Sequence, residues 1–154
     1  GGRKDIMSKL SPVGDVYQAG TLSGNPVGLN SGILTLKILK REKIYYKISK
    51  NVNIVIDGMN KIINETGIKA TLFSIESILW LYFDKVDTIR SSAEIKSETI
   101  AQYNIFFHKM LRENIYLPPS GFEVWFWSLA HDEIVTKYFL KAFKKVMKEI
   151  AVDR

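Results

Sequence analysis

Two stretches of this 154-residue chain carry residue types that can do chemistry. The first, VYQAGTLSGNP, packs Gly20, Thr21, Ser23, Gly24, Asn25 and Pro26 into a few positions. A phosphate needs several donors at once. A turn with a glycine exposes backbone N–H groups, and a threonine hydroxyl adds one more. A helix N-terminus close by adds a favourable dipole. The same residues also suit a helix cap, with Asn25 as N-cap and Pro26 in the first helical position. Local chemistry leaves both readings open. There is neither a Walker A pattern nor a Gly-x-Gly-x-x-Gly, so this is not a nucleotide loop of the usual kinds.

The second stretch is PPSGFEVWFWSLAH, from Pro118 to His131. If it is extended, Glu123, Trp125 and Trp127 share one face. An acid beside two indoles, after a stiff Pro-Pro loop, can wall a pocket; the alternative is a strand-end glutamate in water. His108 and His131 have no ligand partners at metal spacing, so no metal is expected. His108 is placed inside a helix among aromatics in a structural role, and His131 at a helix start. Ser120 and Ser128 have no evident base, so a hydrolase triad is not expected. The absence of cysteine removes disulfides, Cys-type zinc sites and thiol nucleophiles, and it fits a reducing compartment.

These residues need elements to hold them. Arg3 to Leu10 reads as a short helix, ended by Ser11-Pro12-Val13-Gly14. A helix follows Pro26, with Val27, Ile33, Leu34, Leu36, Ile38 and Leu39 recurring at helical spacing. Another runs from about Glu42 to Glu65 and stops at Gly67. Ala70 to Ile75 and Ile78 to Phe83 read as strands joined by a tight turn at Glu76-Ser77. A helix spans about Ser97 to Glu113, with Tyr103, Phe106, Phe107, Met110 and Leu111 inward. Tyr116-Leu117 is a candidate short strand, and Val124 to Ser128 looks extended. Asp132 or His131 starts the last helix, with Ile134, Val135, Tyr138, Phe139 and Phe143 on its apolar side. This order predicts an α/β fold: a small mixed or antiparallel sheet covered by helices.

Hydrophobic residues make up 46% and charged residues 25%, the profile of a soluble globular protein. The net charge is +6, but the lysines are spread along the chain without a clustered stripe. Neither a nucleic-acid nor a membrane partner is expected on that pattern. No apolar run reaches transmembrane length and no signal peptide is visible. The chain opens on Gly-Gly rather than Met and reads as the middle of a longer protein.

Three segments carry a resemblance. GGRKDIM (Gly1 to Met7), SPVGDVYQAGTLSGNP (Ser11 to Pro26) and FFHKMLRENIYLPPSGFEVWFWSLAH (Phe106 to His131) resemble the glutamate-1-semialdehyde 2,1-aminomutase family, in order and over nearly the whole chain. That family lies among the class-III pyridoxal-phosphate-dependent aminotransferases. The resemblance implies the C-terminal part of the fold type I architecture. Residues 1–46 would end the large cofactor domain and form the interdomain helix, and 47–154 would be the C-terminal small domain. It implies a cytoplasmic homodimer with sites at the subunit interface and pyridoxal or pyridoxamine 5′-phosphate as cofactor. The substrate would be a small amino-acid derivative: glutamate-1-semialdehyde, converted to 5-aminolevulinate for tetrapyrrole (porphyrin) biosynthesis.

Thr21 matches the family position whose hydroxyl and backbone N–H bind the cofactor phosphate of the neighbouring subunit, and Gly20 lets the backbone approach. Glu123 matches the glutamate of the Pro-Ser-x-Phe-Glu motif near the substrate. The family's Schiff-base lysine falls upstream of Gly1, so no catalytic residue is assigned here and the chain alone is expected to be inactive. Departures from the family pattern are VGLN after Asn25-Pro26, SIESILW at Ser74 to Trp80, and Trp125 and Trp127 in place of smaller residues. They keep one alternative, part of a related ω-type aminotransferase; a second, resting on the chain taken by itself and its exposed lysines, is a non-catalytic interaction module.

Overall fold

The element order is set by where the apolar stripes start and stop. The computed structural model describes residues 1–41 and 43–153. The chain divides into two compact units, residues 1–42 and 43–154.

The first unit holds α1 (Lys4–Met7) and α2 (Pro26–Arg41). Helix α1 is shorter than the predicted Arg3 to Leu10. Its last turn gives way to a loop around Pro12 and Gly14, closed by Ser11 N–H donating to Val16 O at 2.9 Å and Val16 N–H to Lys9 O at 3.0 Å. Helix α2 begins at Pro26 as its cap residues require. Neither helix has a buried residue. The apolar positions of α2 that periodicity marks as a core face are exposed here, from Val27 at 77% to Ile38 at 46%, with Leu39 half-buried.

The second unit contains α3 (Ile44–Thr66), β1 (Thr71–Ile75), β2 (Ile78–Tyr82), a 3₁₀ turn at Ser92–Glu94, α4 (Ser97–Arg112), β3 (Trp125–Phe126) and α5 (Glu133–Val152). Helix α3 ends at Gly67, whose φ of 66° is the left-handed conformation that glycine adopts without penalty. The sheet is antiparallel in the order β1-β2-β3, with β1 at one edge. Ile75 pairs with Ile78, so Glu76-Ser77 is the predicted two-residue turn; Glu76 takes a φ of 49° there. Tyr116-Leu117 does not join the sheet, and β3 is confined to two residues because a turn occupies Ser120–Glu123.

One core unites the unit. Val52, Val55 and Met59 of α3, Leu79 and Leu81 of β2, Phe106 and Met110 of α4, and Phe143 and Met147 of α5 are all buried in it. Helix α5 lies close on α3 because Gly58 carries no side chain: a Cβ there would stand 2.7 Å from Leu140 Cδ1. Leu111 is exposed at the border of the α4 stripe, and Ile134, Val135 and Tyr138 are exposed in the first turns of α5, against the inward placement predicted for them. The face of the sheet away from the core carries an aromatic pair, Phe73 stacked on Trp80 at 5.4 Å.

Candidate functional site

The first candidate lies in the first unit. Gly20 O accepts the Ser23 N–H at 3.0 Å, which bends Gly20–Ser23 into a turn. Any side chain at Gly20 would collide with the Ser23 hydroxyl. Gly24 then takes a φ of 72° and hands the chain to Asn25. Asn25 Oδ1 accepts the Gly28 N–H at 2.8 Å, while Asn25 Nδ2 donates to Leu22 O at 2.8 Å. The cap reading is therefore correct in geometry. It does not consume the turn: among the described residues, nothing accepts from the Thr21 N–H or its hydroxyl. Thr21 is exposed, and no acidic residue occupies the first turn of α2. The turn offers spare donors beside the positive end of a helix, which is the arrangement an anionic oxygen cluster needs.

The second candidate lies in the second unit. Tyr103 of α4 donates to Pro118 O at 2.7 Å, and Trp80 of β2 donates its indole N–H to Gly121 O at 2.8 Å. Ser120 O accepts the Glu123 N–H at 3.1 Å, so Glu123 sits in a turn and not in the strand. Pairing begins only at Trp125, opposite Leu79, and the ladder continues through the Trp127 N–H donating to Ser77 O at 2.8 Å. The condition for a shared face of Glu123, Trp125 and Trp127 is therefore not met, and the alternative of a glutamate in water at the strand end is the one observed. The two indoles point inward and are buried, whereas Glu123 is exposed. Strand alternation cannot reach back through a turn. An apolar cleft of about 340 Å³ does lie against the indoles, lined among others by Leu117, Trp125, Trp127, His131 and Phe139, but Glu123 is not part of its wall.

Burial pushes the Tyr103 phenol up. The indole N–H of Trp125, donating to its oxygen at 3.2 Å, opposes that, and the negative charge of Glu123 adds to it.

Ser128 has a neighbour the sequence did not suggest. His131 Nδ1 lies 3.1 Å from its hydroxyl. The same nitrogen accepts the Ser128 N–H at 2.9 Å, so its lone pair is already used in a local turn. Among the described residues nothing bonds to the other ring nitrogen, and the pair is a turn rather than a catalytic dyad. Asp132, one residue on, is the N-cap of α5, with Oδ1 accepting the Val135 N–H at 2.9 Å. His108 is exposed on α4, its ring 5.3 Å from Phe107. Among the described residues no group of three His, Cys, Asp or Glu side chains is placed to hold a metal, and no helix is long and apolar enough to cross a membrane.

Sequence reasoning missed the anchoring roles of Tyr103 and Trp80. One signal was present: a tyrosine within a buried helical stripe must find a partner for its hydroxyl. The partner itself is set by tertiary packing.

Comparison with known proteins adds to this geometry. No family model matches the chain. It is 39% identical over 151 residues to a glutamate-1-semialdehyde 2,1-aminomutase of Polynucleobacter asymbioticus, covering 97% of this chain and 34% of that protein. It is 35% identical over 150 residues to one from Desulfatibacillum aliphaticivorans, covering 97% of this chain and 35% of that one. The chain thus spans about a third of the length of the curated relatives it matches, in their C-terminal part. Among solved structures it resembles a β-phenylalanine aminotransferase from Variovorax paradoxus, with a TM-score of 0.78 at 21% identity over 99% of this chain and 35% of that one. An ω-transaminase from Sphaerobacter thermophilus gives 0.74 at 17% identity, over 99% of this chain and 35% of that one. A transaminase with PLP bound gives 0.71 at 20% identity, over 99% and 34%.

Proposed function

From the premise that this chain is homologous to the C-terminal third of the glutamate-1-semialdehyde 2,1-aminomutases and folds as the C-terminal portion of a fold type I transferase, we propose that its parent protein is such an aminomutase. The reaction would move an amino group within glutamate-1-semialdehyde to give 5-aminolevulinate for tetrapyrrole synthesis, in a cytoplasmic homodimer. The observation that carries the reading is identity of 35–39% over 97% of the chain with proteins of that name. On this reading residues 1–46 close the cofactor domain, 47–154 form the small domain, and the exposed apolar side chains of α2 meet the rest of the parent protein.

The donor set of the Gly20–Ser23 turn fits pyridoxal 5′-phosphate. The Thr21 N–H and hydroxyl are unspent, Gly20 leaves room for the Ser23 hydroxyl, and no carboxylate opposes an anion in the first turn of α2. When bound, the cofactor supplies the electron sink that amino-group movement requires. This chain's part is to hold it. Thr21 donates to the phosphate, in the reading to that of the neighbouring subunit, and the α2 dipole favours the charge. Glu123, which as a carboxylate can only accept, takes hydrogen bonds from the amino group of the substrate and orients it. The lysine that carries the cofactor is assigned to the part of the parent outside residues 1–154.

The test is a turnover assay of the full-length protein with glutamate-1-semialdehyde and no second amino acceptor. Formation of 5-aminolevulinate under those conditions supports the mutase. Turnover that begins only when a separate amino acceptor is added supports the ω-type aminotransferase instead, the reading that Trp125 and Trp127 beside the cleft would favour.

A further inference from the structure

The turn that carries Glu123 is fastened from two elements. Tyr103, 1% exposed within α4, holds the carbonyl of Pro118, two residues before the turn, at 2.7 Å. Trp80, in the middle of β2 and stacked on Phe73, holds Gly121 O at 2.8 Å. Gly121 lies against the Tyr103 ring: a Cβ there would stand 3.1 Å from Tyr103 Cγ and 3.0 Å from Ile100 Cδ1. Trp125, the first residue of β3, returns to the same hydroxyl with its indole N–H at 3.2 Å. Inside the turn, Ser120 closes the remaining freedom, its Oγ accepting the Phe122 N–H at 3.2 Å and its carbonyl oxygen the Glu123 N–H at 3.1 Å.

A connection from α4 to β3 needs no such fastening to stay on the surface, where loops are ordinarily mobile. What the fastening does is fix the backbone of an exposed carboxylate. What is held is the backbone from which the exposed side chain extends, and a misplacement of about 1 Å at a substrate contact is enough to cost rate. We infer that Trp80 and Tyr103 are the positioning residues for Glu123, setting the direction from which its carboxylate meets an amino-bearing substrate. The inference rests on the substrate-side reading of Glu123 given above.

The test uses the full-length parent enzyme. Trp80→Phe keeps an aromatic ring on Phe73, removes the donor to Gly121 and trims the ring that packs beside Tyr82. Tyr103→Phe strips partners from two groups at once and serves as the second variant. With Glu123→Gln as reference, Trp80→Phe is expected to raise the KM for glutamate-1-semialdehyde by up to about tenfold and by no more than Glu123→Gln does, because the substrate contact is misplaced and not removed, with the cofactor absorption band unchanged. The double variant Trp80→Phe/Glu123→Gln is expected to be no worse than Glu123→Gln alone, a coupling that a merely structural role would not produce. Losses that multiply in the double variant, or an unchanged KM in both Trp80→Phe and Tyr103→Phe, overturn the positioning role and leave the role of Glu123 standing. Unchanged kinetics in Glu123→Gln itself overturn the role of Glu123, and the inference falls with it.

Discussion

At the scale of single residues, Thr21 and Asp84 show two ways in which a polar side chain earns its position. Thr21 leaves its donors unspent within the chain, open to water or to a bound anion. Thr21→Val in the full-length protein keeps the shape and removes the hydroxyl. Its expected effect is a rise of about tenfold or more in the dissociation constant for pyridoxal 5′-phosphate, read by equilibrium dialysis, since a hydrogen bond to a charged group is lost. Unchanged retention would remove Thr21 from the phosphate site. Asp84 instead spends its charge internally, on Lys96 Nζ at 2.6 Å. That bond, and then the Lys85 N–H, hold its carboxyl below the usual aspartate range. A group whose pKa is depressed by folding contributes stability above its unfolded value, about 3.9, and loses it as pH falls through the folded value. Asp84→Asn should therefore lower the urea midpoint near pH 7, and the difference from the unsubstituted chain should shrink as the pH is taken down through the acid range. The effect is small, because the pair faces water.

At the scale of elements, what the sequence disclosed depended on how local the cause was. Asp132 is an N-cap by chemistry alone, and the structure has its Oδ1 on the Val135 N–H. Asp132→Ala should cost about 1 kcal/mol of stability, measured by chemical denaturation; an Asn replacement should restore most of it. Gly67 as a stop, Glu76-Ser77 as a turn and the start of α2 at Pro26 were legible for the same reason: each follows from its own residue's backbone preferences. Glu123 was not. Alternation predicted its face, but the Ser120–Glu123 turn interrupts the period just before the strand begins, and that turn is held by Tyr103 and Trp80, 15 and 41 residues away from their partners. Of the two readings the sequence left open for this acid, a pocket wall or a strand end in water, the structure has the second: the aromatic cleft is there and Glu123 is not on its wall. Burial was overestimated where periodicity extends past the contact, at Leu111 of α4 and at Ile134 and Tyr138 of α5.

At the scale of the molecule, the two units are unequal. Every residue of the core cluster lies in the second, while α1 and α2 have no buried residue between them. Hydrophobic burial is the main source of folding stability, so the second unit should carry it alone. Residues 43–154 produced separately are expected to unfold cooperatively, with a Tm within about 5 °C of the 154-residue chain, and trypsin should remove residues 1–42 of the longer chain first. A non-cooperative melt of 43–154 would show that the first unit contributes to that core. The edge position of β1 has a further consequence, for how the chain fails rather than how it works. From Ala70 to Ile75 it carries no charge, and Ile75 is 70% exposed. With β2 on one side only, its other row of backbone donors and acceptors is a template for any extended segment that meets it. Losses on concentration or storage should then grow outward from this strand by edge-to-edge addition, with the ordered core behind it intact.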